Sequence, residues 1–327
     1  IGNTAANERY FQQGRTASVI FTERNIDLEK SQVEVTATDV DSNEKMTGIW
    51  TLQQIKDGEA RNEYLSVENV TDSLDTDETP DYPENNRTIS FDLHFAGEAN
   101  YTLKLLAVDL SGASVEAPGQ EQTDSPLYRF TVDGTAPEGS ISAMQNTWEL
   151  FVEAITFGLF SANSQEVSMT GTDETAGVFS LEYVVLEEIL TKDELISRDA
   201  QGEISWEMDE EGRAPAGTVG RSCTRDPDSR NIIYTKVTDY ADNTEYFSSE
   251  GFILDSTVPQ WTQPEVLGTN QAESGIFHGD VSLKIDVQDP DTSDDSYSVY
   301  SGLKNIWYEV TDRNDSKNTT VYPLMEN

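Results

Sequence analysis

The stretch "FTVDGTAP" (130–137) is written again, almost letter for letter, as "FILDSTVP" (252–259). Each copy has the same parts. Phe130 and Val132, like Phe252 and Leu254, alternate as the end of a strand with one buried face. An Asp follows and starts a turn, as Asp does when it bonds its own backbone. A Pro then ends the ladder, because it has no N–H to donate and drives the residue before it into an extended conformation. Such a sentence marks the boundary of a repeated unit: last strand, short linker, next unit. It divides the chain into 1–137, 138–259 and 260–327.

Further phrases recur upstream of each boundary. "LLAVDLSGA" (105–113) pairs with "TKVTDYADN" (235–243), which puts Asp109 and Asp239 in the same place. A third phrase is read three times: "VEVTATD" ending at Asp39, "VSMTGTD" at Asp173 and "LKIDVQD" at Asp289. Val33, Val35 and Ala37, then Val167 and Met169, then Leu283, Ile285 and Val287 alternate with polar residues. This period of two marks half-buried strands. After each Asp come a short loop, a Gly and another apolar run: "WTLQQI", "LEYVV" and "IWYEV". In the first copy Gln54 stands where a Tyr is expected, which predicts a bent or differently registered strand there.

Short alternating strands with frequent turn signals predict an all-β fold, an antiparallel β-sandwich in each unit. Two helical inserts are expected in 138–259. "TWELFVEAITFGLFS" (147–161) is apolar enough for a short helix over 147–160 or for a buried turn leading into the first strand. "TKDELISRDA" carries the capping-box spacing Thr191…Glu194 and predicts a helix over 191–198. The third unit stops after "IWYEV" without a closing phrase. It is therefore expected to be incomplete as it stands, with its remaining strands supplied by further chain.

The formal net charge is −40 in 327 residues, and the acids are spread over all three units. Such a surface repels phosphate backbones and anionic lipid, which excludes nucleic acid and direct membrane insertion as partners. No apolar run is long enough to span a bilayer. Cys223 is the sole cysteine, so no intramolecular disulfide forms. Catalytic parts are scarce. His94 and His278 lie in different units, and neither a nucleophile elbow nor a phosphate loop occurs. The chain reads as no enzyme, and no organic cofactor is expected. Trp50, Trp148, Trp206, Trp261 and Trp307 fall mostly in apolar runs and are expected to pack in cores or between units.

Calcium is the one cofactor the loops fit. "DPDTSDD" offers Asp289, Asp291, Asp294 and Asp295 as hard oxygen ligands, and "DVDSNE" offers Asp39 and Asp41. The second is no EF-hand, because Glu44 replaces the required Gly and Trp50 the closing acid. A looser site between strands is what either loop would make.

Three segments carry a resemblance. "YFQQGRTASVIFTERNID" (10–27), "WELFVEAITFGLFSANSQEVSMTGTDETAGV" (148–178) and "YTKVTDYADNTEYFSSEGFILDSTVP" (234–259) resemble the bacterial Ig-like repeat modules of very large surface proteins in Gram-positive anaerobes, clostridia and gut Lachnospiraceae among them. Asp242 departs from the family's usual Gly. The resemblance implies tandem Ig-like modules in a linear array, an extracellular location on the cell surface with wall attachment through other regions, and a role as adhesin or stalk. The alternatives are a binder of a host protein or glycan, such as an immunoglobulin or a mucin glycoprotein, and an accessory region of a large secreted glycosidase.

Overall fold

The computed structural model describes residues 9–39, 43–74, 87–208, 217–268, 277, 279–293, 297–312 and 314–326. The strands fall into three groups, and no ladder among the described residues joins strands across Pro137 or Pro259.

The first group contains β1 (Tyr10–Phe11), β2 (Arg15–Glu23), β3 (Gln32–Thr38), β4 (Lys45–Thr51), β5 (Leu65–Leu74), β6 (Arg87–Phe95), β7 (Ala99–Val108), β8 (Ser114–Ala117) and β9 (Arg129–Val132). One sheet runs β1-β9-β7-β3-β4, with β8 on β7, and the other runs β2-β6-β5. Val33, Val35 and Ala37 of β3 face Ile89, Phe91 and Leu93 of β6 in one buried cluster, as their alternation predicts. Phe130 lies at its centre, stacked on Tyr101 at 5.3 Å and edge-on to Phe95 at 4.9 Å. The expected bend near Gln54 is a short helix, α1 (Leu52–Lys56). Thr51 caps it and Gln54 bonds back, so the Gln that broke the strand pattern is the far half of a capping box.

The second group contains β10 (Glu138–Ala143), β11 (Asn146–Trp148), β12 (Leu159–Ser161), β13 (Gln165–Thr172), β14 (Val178–Leu186), α2 (Lys192–Ala200), β15 (Thr218–Arg225), β16 (Ser229–Asp239), β17 (Thr244–Ser248) and β18 (Phe252–Leu254). Its sheets run β11-β10-β13-β15 and β12-β18-β16-β14, with β17 on β16. Ile141, Val167, Met169, Leu181, Val237 and Phe252 fill the space between them. A second cluster covers the outer face, where Val184, Ile232 and Tyr234 meet Leu190 and Leu195. Strand β16 is thus buried on both faces, which explains its unbroken apolar run "IIY".

The helix predicted at 191–198 is present as α2, with Thr191 accepting from the Glu194 N–H and Glu194 accepting in return. The helix expected over 147–160 is absent. That stretch is β11, an irregular segment and the start of β12. Phe151, Val152, Ile155 and Phe157 pack on the outer cluster instead. The Val152 N–H donates to Ser248 Oγ at 2.7 Å, and the Thr156 N–H donates to Glu250. Side chains of the facing segment thus satisfy backbone groups that a helix would have satisfied internally.

The third group is β19 (Gln260–Trp261), β20 (Glu265–Gly268), β21 (Val281–Lys284), β22 (Val287–Gln288), β23 (Asn305–Asp312) and β24 (Asp315–Glu326), in three two-stranded ladders. Val281, Leu283, Trp307 and Val310 are exposed. Packing is as expected for Trp50, Trp148 and Trp206, but Trp261 and Trp307 remain 65% and 64% exposed, since no second sheet covers them among the described residues.

The threefold phrase needs correction. β3 runs antiparallel to β7 with Thr38 opposite Asn100, so Asp39 lies at the start of β7, far from Asp109 at its end. In the second group Val178, just after Asp173, lies opposite Asp239. "VEVTATD" and "VSMTGTD" therefore occupy different strands of the sandwich. The pairing of Asp109 with Asp239 holds: each carboxylate accepts the N–H four residues on, from Ala113 and from Asn243, both at 2.8 Å. Gly112 has φ +90° and Asp242 has φ +69°, so the turn is the same despite the substitution. Asp at positive φ is strained and crowds a negative neighbourhood. Asp242→Gly is expected to stabilise the protein by about 1 kcal/mol, read as a shift of the urea midpoint; a destabilised variant would show that the Asp side chain holds the turn.

Candidate metal centre at a strand-group junction

Three Asp side chains end three strands and meet. Asp133 follows β9, Asp173 follows β13 and Asp239 closes β16. Their exposures are 0%, 7% and 1%. One carboxylate oxygen from each lies within 4.8 Å of the others. The first comes from the first strand group and the other two from the second.

Backbone donors fix each carboxylate. Asp133 Oδ1 accepts the Thr135 N–H at 3.0 Å, and Oδ2 accepts the Ala176 N–H, also at 3.0 Å, across the junction. Asp173 Oδ1 accepts from Ala176 and Gly177 at 2.8 and 2.7 Å. Gly177 has φ +79°, the left-handed conformation that lets two successive N–H groups point at one oxygen. Asp239 Oδ1 accepts from Ala241 and Asn243 at 2.7 and 2.8 Å. Asn243 Nδ2 donates both to Asp239 Oδ2 at 2.7 Å and to the Asp133 carbonyl at 3.0 Å, a second bond across the junction. Tyr10 packs on Tyr240 at 5.5 Å beside buried Ala176 and Ala241, and Phe179 meets the same ring edge-on at 5.3 Å.

No ion pair to any of the three is present among the described residues. Burial, against the bond from the Thr135 N–H and with the neighbouring carboxylates of Asp173 and Asp239 adding to it, pushes Asp133 up to about 7. Burial likewise pushes Asp239 up to about 6, against its bonds from Asn243. Beside the cluster lies a cavity of about 410 Å³ lined by Asp39, Glu98, Glu138, Asp173 and Glu174. Protonation or a bound cation would each relieve the repulsion among the three carboxylates. An all-oxygen donor set suits a hard cation such as calcium, and ligands on a sphere of about 2.4 Å radius lie no farther apart than about 4.8 Å, a limit the three oxygens satisfy.

The sign of the pH effect follows. Without a divalent cation, folding costs nothing at these groups while they are protonated. It becomes costly as pH rises from their ordinary range near 4 through about 6 and 7. In chelator, the protein is expected to melt higher at pH 5 than at pH 8, by roughly a few kcal/mol of stability. An equal or lower melting temperature at pH 5 would mean that the cluster is neutralised by some other route.

Asp41, Asp294 and Asp295 fall outside the described residues. Asp39 accepts from Tyr64 Oη at 3.3 Å and reaches only the rim of the cavity. Asp291 accepts backbone N–H groups of Ser293 and Val299 at 3.1 and 2.9 Å; these bonds, that of Val299 first, hold it at about 2. Asp289 repeats Asp173: its Oδ2 accepts the Gly302 N–H at 2.7 Å, and Gly302 has φ +79°. Asp255 repeats Asp133, taking Thr257 N–H at 3.0 Å and, across the next junction, Ser301 N–H at 2.7 Å. Asp289 Oδ1 is buried there without a partner. The sequence signal for Asp133, Asp173 and Asp239 was present, since each is the Asp of a recurring phrase. Their convergence was not visible, because the phrases lie 40 and 66 residues apart.

No family model and no curated protein sequence matches the chain. Among solved structures, it is similar to fibronectin(III)-like modules of CbhA from Clostridium thermocellum, at 11% identity and TM-score 0.24, over 76% of this chain and 89% of that one. It is also similar to a putative membrane-anchored protein from Corynebacterium diphtheriae, at 12% identity and TM-score 0.20, over 92% of this chain and 63% of that one.

Proposed function

We propose that the chain is a non-enzymatic segment of an extracellular bacterial surface protein, an adhesin or stalk in which Ig-like modules (1–137, 138–259 and 260–327) follow one another in a line. Calcium at the junction stiffens the array. One observation carries this reading: a carboxylate from the end of one module is built into the loops of the next, and the same bonds recur one module later, Asp133 to Ala176 and Asp255 to Ser301. A device repeated at successive joints sets the angle between modules, which serves reach and load-bearing rather than chemistry. The buried junction carboxylates leave a negative charge that a divalent cation neutralises, and the acid-lined cavity beside them concentrates such ions. A host protein or glycan at the far end of the array is the partner this architecture serves.

Small-angle scattering tests the reading. With millimolar calcium the chain is expected to show a long, narrow distance distribution. Chelator is expected to broaden it as the joint loosens. A compact particle under both conditions would overturn the linear arrangement.

A further inference from the structure

Where the second strand group meets the third, β12 and the turn between β10 and β11 face residues 300–304 across an open cleft of about 1030 Å³. Side chains from both groups hold its walls together. The Ser301 N–H donates to Asp255 at 2.7 Å. The Arg230 guanidinium of β16 lies 3.5 Å from the Phe157 ring centre and 5.2 Å from that of Tyr297.

Each group brings one aromatic ring to the cleft. Phe160 of β12 is 44% exposed and Tyr300 is 43% exposed. Neither ring meets another among the described residues, so both faces are open to a ligand. The next wall is a turn with a cost. Ala143 pairs with Asn146, which leaves Met144 and Gln145 as the two turn residues, at φ +49° and +69°. Asn and Gly suit such a turn; longer side chains at positive φ are strained, and strain of this kind is kept at binding sites. It sets Met144, a soft side chain that moulds to its neighbour, against the cleft.

The polar groups of the cleft are a cation and an acceptor. Lys304 is exposed there and forms no ion pair among the described residues. In a chain of 61 acidic and 21 basic side chains, an ammonium left without an acid is available to a foreign one. Asp289 Oδ2 accepts the Gly302 N–H at 2.7 Å, while Oδ1 is buried without a donor. A buried acceptor in that state gains from a donor that a ligand brings.

We infer that this cleft binds a pyranose sugar bearing a carboxylate. The C–H face of the sugar lies on the electron-rich ring faces of Phe160 and Tyr300. Its carboxylate pairs with Lys304 in a charge-assisted bond, and a hydroxyl donates to Asp289. A purely apolar ligand would leave both polar groups unserved. A polyanion would meet the repulsive field of the whole chain, whereas a single carboxylate meets Lys304 at short range, inside the screening length. The inference goes beyond the reading of the joints as spacers. Scattering can fail to respond to calcium while sugar still binds at this cleft, and the reverse. Uronic acids and sialic acids both carry this chemistry, and the experiment separates them.

Ligand-observed NMR, which detects weak complexes, is the test. The full chain is titrated with methyl β-glucuronide and with 3′-sialyllactose, and with methyl β-glucoside and lactose as their neutral counterparts. At least one carboxylated sugar is expected to bind about tenfold more tightly than its neutral counterpart, the worth of one bond to a charged group. Whichever acid binds more tightly names the source. Lys304→Met is expected to erase the preference for the acid, and Lys304→Arg to keep it. Phe160→Ala and Tyr300→Ala are expected to weaken every sugar while keeping the wild-type circular dichroism spectrum and melting temperature, since both rings are half exposed. No binding of either acidic sugar at millimolar concentration overturns the assignment. So does equal binding of acid and neutral counterpart, or an unchanged preference in Lys304→Met.

Discussion

Chelator is expected to lower the melting temperature of the protein, and millimolar calcium to restore it. The size follows from linkage: a ligand at about a hundred times its dissociation constant stabilises the state that binds it by about 2.7 kcal/mol. For modules of this size that is a shift of roughly 5–10 °C. The control with the cleanest geometry is Asp173→Asn. Asp173 takes both of its N–H bonds on Oδ1, so an Asn oxygen can keep them and turn its NH₂ toward the cluster. At Asp239 and Asp133 both oxygens already accept hydrogen bonds, and an amide would set a donor against a donor. Asp173→Asn is therefore expected to fold, to match or slightly exceed the wild type in chelator because one like charge is gone, and to lose the calcium response. Equal stabilisation of variant and wild type by calcium would place the ion elsewhere. An unmoved wild type would remove calcium from the junction.

Phe130→Ala is expected to cost about 3–5 kcal/mol, the range for emptying a buried aromatic site. Phe130 is 1% exposed and meets Tyr101, Phe95 and Phe11, and the Arg15 guanidinium lies 4.1 Å above its ring. Its loss opens a cavity that three rings cannot close. It also strips buried Arg15 of the nearer of its two aromatic faces, leaving the Phe11 ring at 5.0 Å and the bond from Nη1 to the Pro126 carbonyl. The loss approaches the whole stability of a small domain, so the first module should unfold at low denaturant while the second keeps its own transition. Phe130→Leu, which keeps most of the volume, should cost clearly less. A single unsplit transition in Phe130→Ala would show that the junction couples the two modules strongly enough to unfold as one. Because Phe130 stands three residues before Asp133, the same variant is expected to weaken the calcium response.

The all-β character, the strand alternation around Val33, Val167 and Leu181, the helix begun by Thr191 and the ends of strands β9 and β18 before Pro137 and Pro259 were all legible in the sequence. They depend on local chemistry, and local chemistry repeats in the letters: a period of two, a cap three residues from its partner, a proline that cannot donate. What needed the tertiary structure was everything that depends on which strand lies beside which. "VEVTATD" and "VSMTGTD" look alike because any half-buried strand ending in a turn has that pattern, yet antiparallel pairing sends Asp39 to one end of its sheet and Asp173 to the other end of the next. The apolar run at 148–157 suits a helix on composition alone. It stays irregular because Ser248 and Glu250 across the fold supply acceptors for its N–H groups. The meeting of Asp133, Asp173 and Asp239 is likewise a property of the packed joint. Strand ends distant in the chain converge there, and burial, which no single phrase encodes, lifts Asp133 and Asp239 above the ordinary carboxylate range.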